Sequence, residues 1–190
     1  MLHRLYQQFR RFRPPAATHD VLSQEQETAL RKRAIVEVAS RTRAGFFAYP
    51  LVWILSMQGG QVFSDQRAYV LWHALGLGLV GAVRLLWCTG LHKRLDQNFV
   101  AGRLVFRALM LLHGLYWSGL LTVCMLSPEQ AATRQFIVPV TVALVITGAM
   151  MMAIDDVLGL AFPVAMVGPP LIALLVVGDP TGKVYAFGAV

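Results

Sequence analysis

Two histidines, His73 and His113, stand inside long apolar runs of this 190-residue chain. An ionisable side chain placed in hydrocarbon is costly, so it marks a functional position by default. Two histidines on facing helices could ligate a haem iron or relay protons. At 1.5 Å of rise per residue their expected depths differ by roughly 8 Å, which is poor for two axial ligands of one iron. The plain alternative is an interhelical hydrogen bond or an interface position. The chemical one is a ligand- or proton-sensing centre that also includes Trp117.

Arg84 lies near one end of an apolar run. It can snorkel to the headgroups. It can instead pair with Asp155 or Asp156 and form a latch at the cytoplasmic mouth. Pro163 and the run Gly168-Pro169-Pro170 are expected to interrupt the last complete apolar stretch. Such breaks line cavities in membrane proteins, which makes Pro169 and Pro170 candidate pocket residues. Met150-Met151-Met152 point in three directions on a helix, so they are packing residues rather than a soft-metal site. Ala74, Gly78 and Ala82, and likewise Gly114, Ser118 and Thr122, repeat every fourth residue. These small faces are expected to let helices approach closely.

Catalytic residues are not expected. The sequence has no Gly-rich phosphate loop, no cysteine pair at zinc spacing and no nucleophile elbow. Cys88 and Cys124 fall near opposite membrane faces, which argues against a disulfide or a shared metal. The residues call for no cofactor and no metal.

The elements that carry these residues are apolar spans. The chain is 56% hydrophobic and only 14% charged, with mean hydropathy +0.57. A run of about 20 apolar residues as a helix crosses the ~30 Å hydrocarbon core of a bilayer. Five such runs are read at 44–58, 68–88, 104–126, 136–153 and 157–177, and a sixth begins at Val184. The expected fold is an all-α polytopic membrane helix bundle of five complete spans plus the start of a sixth. A bilayer needs every backbone group paired, so a sixth run this short is expected to continue in a longer chain.

Residues 1–43 form a separate polar N-terminal segment, and 44–190 the membrane domain. In the first segment, Leu2, Leu5, Tyr6, Phe9 and Phe12 alternate with arginines as a short basic amphipathic helix. Pro14-Pro15 ends it, and Ser23 with Gln26 fits a capping box for a second helix. The net charge is +7, and 9 of the 17 Lys and Arg precede Ala44. Lys93, Arg94, Arg103 and Arg107 cluster after the second span. This asymmetry is the positive-inside pattern, which puts the N-terminus in the cytoplasm. The basic charge is read as topology and contact with anionic lipid, not as nucleic-acid binding.

The order of elements resembles the N-terminal membrane region of bacterial diguanylate cyclases (GGDEF proteins) and of sensor or hybrid histidine kinases. The matching features are the entry Arg41-Thr42-Arg43-Ala44-Gly45-Phe46, then Trp72 and Arg84 on the second span. Gly114, Trp117 and Gly119 match on the third, Gly148-Ala149-Met150 on the fourth, and Pro169-Pro170 on the fifth. The resemblance spans about residues 25–190. It implies a homodimeric, multi-pass sensory input domain of the bacterial inner membrane. Its last span would feed a cytoplasmic kinase or cyclase; neither a cyclase signature nor a phospho-acceptor segment is present here. The expected function is perception of a small apolar signal near His73, His113, Trp117, Pro169 and Pro170. A small transporter subunit and a haem-binding membrane protein are the alternatives.

Overall fold

The computed structural model describes residues 24–176. Among them every regular element is helical. In chain order these are α1 (Gln24–Arg41), a 3-10 turn (Thr42–Ala44), α2 (Gly45–Gly59), α3 (Val62–Asp65) and α4 (Arg67–Thr89). There follow α5 (Leu91–Gln97), α6 (Phe99–Leu126), a second 3-10 turn (Pro128–Gln130), α7 (Ala131–Met152) and α8 (Asp156–Val176). The amphipathic segment 2–13, Ser23 of the expected capping box, and the apolar run from Val184 lie outside the described residues.

Contacts divide the chain at Ala34. In the first unit the described part is the opening of α1, an exposed stretch carrying the i,i+4 pair Glu27–Arg31 at 2.6 Å. The second unit includes the end of α1, where Ile35, Val38 and Ala39 are buried.

Four helices are long and apolar enough to cross a membrane: α4, α6, α7 with its preceding turn, and α8. The shortest has 21 residues, about 31 Å at 1.5 Å per residue. The run expected as the first complete span forms α2, which has 15 residues. Alone it reaches roughly 22 Å, less than a hydrocarbon core. It ends where the run was read to end, because Gly60 and Gln61 turn the chain, Gln61 with a left-handed φ of 64°.

The outward faces are apolar. Leu75, Leu79 and Leu86 of α4, Leu104 of α6, Ile146 and Met150 of α7, and Leu160 and Ile172 of α8 are all exposed. Helices that are apolar on both their inner and outer sides belong in lipid. In lipid, burial from water no longer drives helices together, so packing and hydrogen bonds must hold the bundle.

Close approach does much of that. Gly60 lies against the Thr133 backbone and side chain, Gly76 against the Tyr116 hydroxyl, and Gly114 against Phe162 and Met166. The small face of α6 thus packs on α8 at Gly114, as expected. On α4 the tight glycines are Gly76 and Gly81, whereas Gly78, expected at a contact, faces open space. The methionine run splits as expected: Met150 is exposed, Met151 half-buried and Met152 buried.

Helix ends are capped by side chains. The Asn98 carboxamide accepts from Ala101 N at 3.0 Å, satisfying one of the free donors that open α6. At its other end Arg134 donates to the carbonyls of Cys124 (3.1 Å) and Ser127 (2.8 Å). The expected interruption of the last span is absent. Pro163, Pro169 and Pro170 all lie inside α8. Each proline removes one donor, and neighbouring helices tolerate such a loss in a membrane.

These contacts predict opposite outcomes for two equal substitutions. Gly60→Ala drives a methyl into the Thr133 backbone and should cost about 1–3 kcal/mol, the usual range for overpacking. Gly78→Ala meets nothing and should be neutral or slightly stabilising. Thermal unfolding of both variants in detergent checks this.

Candidate functional site

The centre of the second unit is aromatic. Trp53 of α2 and Trp117 of α6 are fully buried, with ring centroids 6.4 Å apart. A buried indole needs an acceptor, and each finds one on a neighbouring helix. Trp53 Nε1 donates to the Val70 carbonyl of α4 at 3.0 Å. Trp117 Nε1 donates to Thr141 Oγ1 of α7 at 3.1 Å, and that hydroxyl donates on to the Ile137 carbonyl at 2.7 Å. Tyr49, one turn before Trp53, packs on Trp117 at 5.5 Å and sets its hydroxyl 3.7 Å from Met166 Sδ of α8. These rings tie α2 to α4, α6 and α8, and Trp117 ties α6 to α7.

The two histidines occupy opposite ends of this aromatic chain. His73 is half-buried; its ring packs on Tyr69 (4.5 Å) and Trp53 (6.0 Å), and its Nδ1 shares a 3.1 Å hydrogen bond with the Tyr116 hydroxyl. His113 is fully buried against Tyr49 at 4.3 Å, and neither ring nitrogen has a hydrogen-bond partner. Trp53, Trp117 and Tyr49 stand between them, linked through ring contacts. His73 is an interhelical hydrogen-bond residue. His113 is an orphaned polar side chain, which costs about 1–3 kcal/mol relative to a satisfied one.

Arg84 corrects a second expectation. Its side chain turns inward; the residue is only 4% exposed. Nη2 donates to the Thr42 carbonyl at 2.8 Å, and Nη1 approaches Met110 Sδ at 3.6 Å. No carboxylate pairs with it among the described residues. The basic partner of Asp155 is Arg107, not Arg84. Arg107 grips Asp155 through Nη2 at 2.7 and 2.9 Å and through Nε at 3.1 Å. Asp155 also accepts from the backbone N–H groups of Val157 and Leu158, capping α8. Arg107 wins because it projects from α6 toward the start of α8, while Arg84 on α4 points to the α1–α2 junction. Asp156, also expected in the latch, is exposed at the first position of α8.

Beside Arg84 lies a cavity of about 150 Å³. Tyr49, Met110, Leu144, Gly148, Met152 and Phe162 form much of its wall, with exposed Arg41, Ala44 and Thr147 also lining it. Gly45 lines it as well, and a methyl there would sit 2.9 Å from Arg84 Nη2. Pro169 (exposed) and Pro170 (buried) do not line it. Trp117 and His113 lie behind it, touching its wall through Tyr49. Among the described residues, no three His, Cys, Asp or Glu side chains group to hold a metal ion.

Thr42 entered the sequence analysis only within the entry motif, and Tyr49 and Trp53 not at all, although the latter two are an i,i+4 aromatic pair within an apolar run. Partner choice for Arg84 depends on tertiary geometry that spacing does not carry. Protein-family models, curated proteins and solved structures contain nothing that matches this chain.

The Arg107–Asp155 pair predicts a non-additive cycle. Asp155 is almost wholly buried and Arg107 mostly so. Arg107→Ala strands the carboxylate and should cost about 3 kcal/mol. Adding Asp155→Asn should restore part of that, because Oδ1 still caps α8 and no charge is left unpaired. A double-mutant cycle read by unfolding in detergent measures the coupling.

Proposed function

We propose that this chain is a membrane-embedded sensory input domain that perceives a small apolar signal and passes it to a cytoplasmic kinase or diguanylate cyclase output. The observation that carries the reading is the polar centre at the cavity. A fully buried histidine without partners and a buried arginine without a carboxylate both cost stability in lipid. Both also pack between helices, Arg84 through the Thr42 carbonyl and His113 on Tyr49, but that packing uses neither the charge of the one nor the ring nitrogens of the other. Polar capacity that the packing leaves unused supports a functional reading.

Geometry supplies the coupling. The cavity wall draws on α2, α4, α6, α7 and α8 together. An occupant would therefore bear on α8 through Phe162 and on the α1–α2 junction through Thr42 and Arg84. Signal binding would favour one of two helix arrangements, and α8 with any following span would carry the shift inward. The resemblance in element order supports the same assignment and adds a homodimer in the bacterial inner membrane.

In this reading α2 is a fifth span. Helical dihedrals persist at Arg41, Ala44 and Gly45, so the short helix continues from the turn before it, and α3 adds one more turn after it. The N-terminus and the α4–α6 connection then share the cytoplasmic side, where Lys93, Arg94 and Arg103 lie. A membrane-impermeant maleimide should label Ser64→Cys in intact cells and leave Lys93→Cys unlabelled, in a background lacking Cys88 and Cys124. The reverse pattern would invert the topology.

The functional test is a chimera of residues 1–190 with a diguanylate cyclase catalytic domain, its product followed while apolar extracts of spent medium are added. One or more fractions should change output about five-fold or more, a common allosteric range. His113→Phe keeps a ring against Tyr49, removes the orphaned nitrogens and should fold at least as well while losing the response. A folded, active chimera that answers no fraction contradicts the reading.

A further inference from the structure

The cavity carries more than an apolar signal. Resting on the sensory reading, we propose that it binds a molecule with one oxyanion on a compact apolar body, the oxyanion seated on the Arg84 guanidinium.

A guanidinium has five N–H donors in a planar fork. In Arg84 they meet one good acceptor, the Thr42 carbonyl, and one poor one, the Met110 thioether. The residue is 4% exposed and lines the cavity, and among the described residues no carboxylate answers its charge. An uncompensated cation in this setting calls for an anion, and the fork fits a carboxylate or phosphate oxygen pair. Apart from Arg41, Tyr49 and Thr147, the rest of the wall asks for the opposite chemistry. Met110, Leu144 and Phe162 offer only apolar surface to a ligand body.

Size narrows the class. The cavity measures about 150 Å³, and a dry protein cavity of about that volume holds one benzene. A benzoate-sized monocarboxylate therefore fits whole. A phospholipid would fit only by its headgroup, entering past the exposed rim at Ala44 and Thr147. Oxyanion capture also competes with the Thr42 carbonyl for Nη2. That carbonyl belongs to the 3-10 turn between α1 and α2, and such a stretch between helices is a common hinge. Ligand and hinge thus share one donor group.

The experiment uses the full chain in neutral maltoside detergent, titrated calorimetrically with benzoate, benzyl alcohol and dihexanoyl phosphatidic acid. Benzoate should bind saturably and at least about ten-fold tighter than benzyl alcohol, the gain expected of a charge-assisted pair. Arg84→Gln should bring the two to equal affinity. Ala48→Phe, which fills the cavity and leaves Arg84 in place, should abolish benzoate binding even if Arg84→Gln fails to fold. Binding of benzoate assigns a free carboxylate; binding of the phosphatidic acid alone assigns a lipid headgroup, and both support an oxyanion site. Equal binding of benzoate and benzyl alcohol overturns the oxyanion and leaves the apolar-signal reading standing. No binding of any of the three overturns the site, and the cyclase chimera then decides the sensory reading by itself.

Discussion

Hydrocarbon offers no hydrogen bonds, and that constraint orders this structure. Each polar group inside the bundle must find its partner within the chain. Most do so economically. Both central indoles donate across a helix interface. Thr42 and Thr141 donate to carbonyls one turn back on their own helices. Arg134 and Asp155 close helix ends that would otherwise leave carbonyls and amides bare. Among the described residues Arg84 is buried without a counter-charge, and His113, like Trp87 Nε1, Ser118, Gln130 Oε1 and Thr133, keeps polar atoms without a hydrogen bond. Arg84 and His113 sit on neighbouring helices, each within reach of Tyr49 or its cavity.

The short helix α2 organises that arrangement. Too short to span the core as a free helix, it places Tyr49 and Trp53 one turn apart in the centre of the bundle. Its N-terminal glycine leaves the room that the Arg84 guanidinium occupies. Around it, α6 and α8 meet at Gly114, where Phe162 and Met166 fill the glycine surface. Phe162 reaches both this contact and the cavity, so a change in the cavity is felt at the α6–α8 contact. That is how a small ligand can gain leverage over a packed bundle, since packed interfaces switch between arrangements and do not deform smoothly.

Much of the fold was legible in the sequence because long apolar runs have one economical solution in lipid. The helices α4, α6, α7 and α8 follow the runs closely. The exceptions have local causes. The first run folds over the bounds read for it, but its 15 residues are shorter than a hydrocarbon core, and the expected break at Pro169-Pro170 is absorbed within α8. The site was legible only in its residue types. His113, Trp117 and Arg84 were suspect as polar or aromatic groups among aliphatic neighbours. Which groups they meet was not. Arg84 and Arg107 are equally able to reach a carboxylate by chemistry, and only the helix arrangement gives Asp155 to Arg107. His73 and His113 both sit in apolar runs, yet ring packing separates them and leaves only His113 unpartnered.

The most direct measurement is a high-resolution density map of the protein purified from its native membrane without added ligand. The expected map shows Arg84 turned inward, its guanidinium facing density for a bound oxyanion within the cavity beside Tyr49 and Phe162. Arg84 extended toward the headgroups, with the cavity closed by Met110 and Phe162, would contradict it.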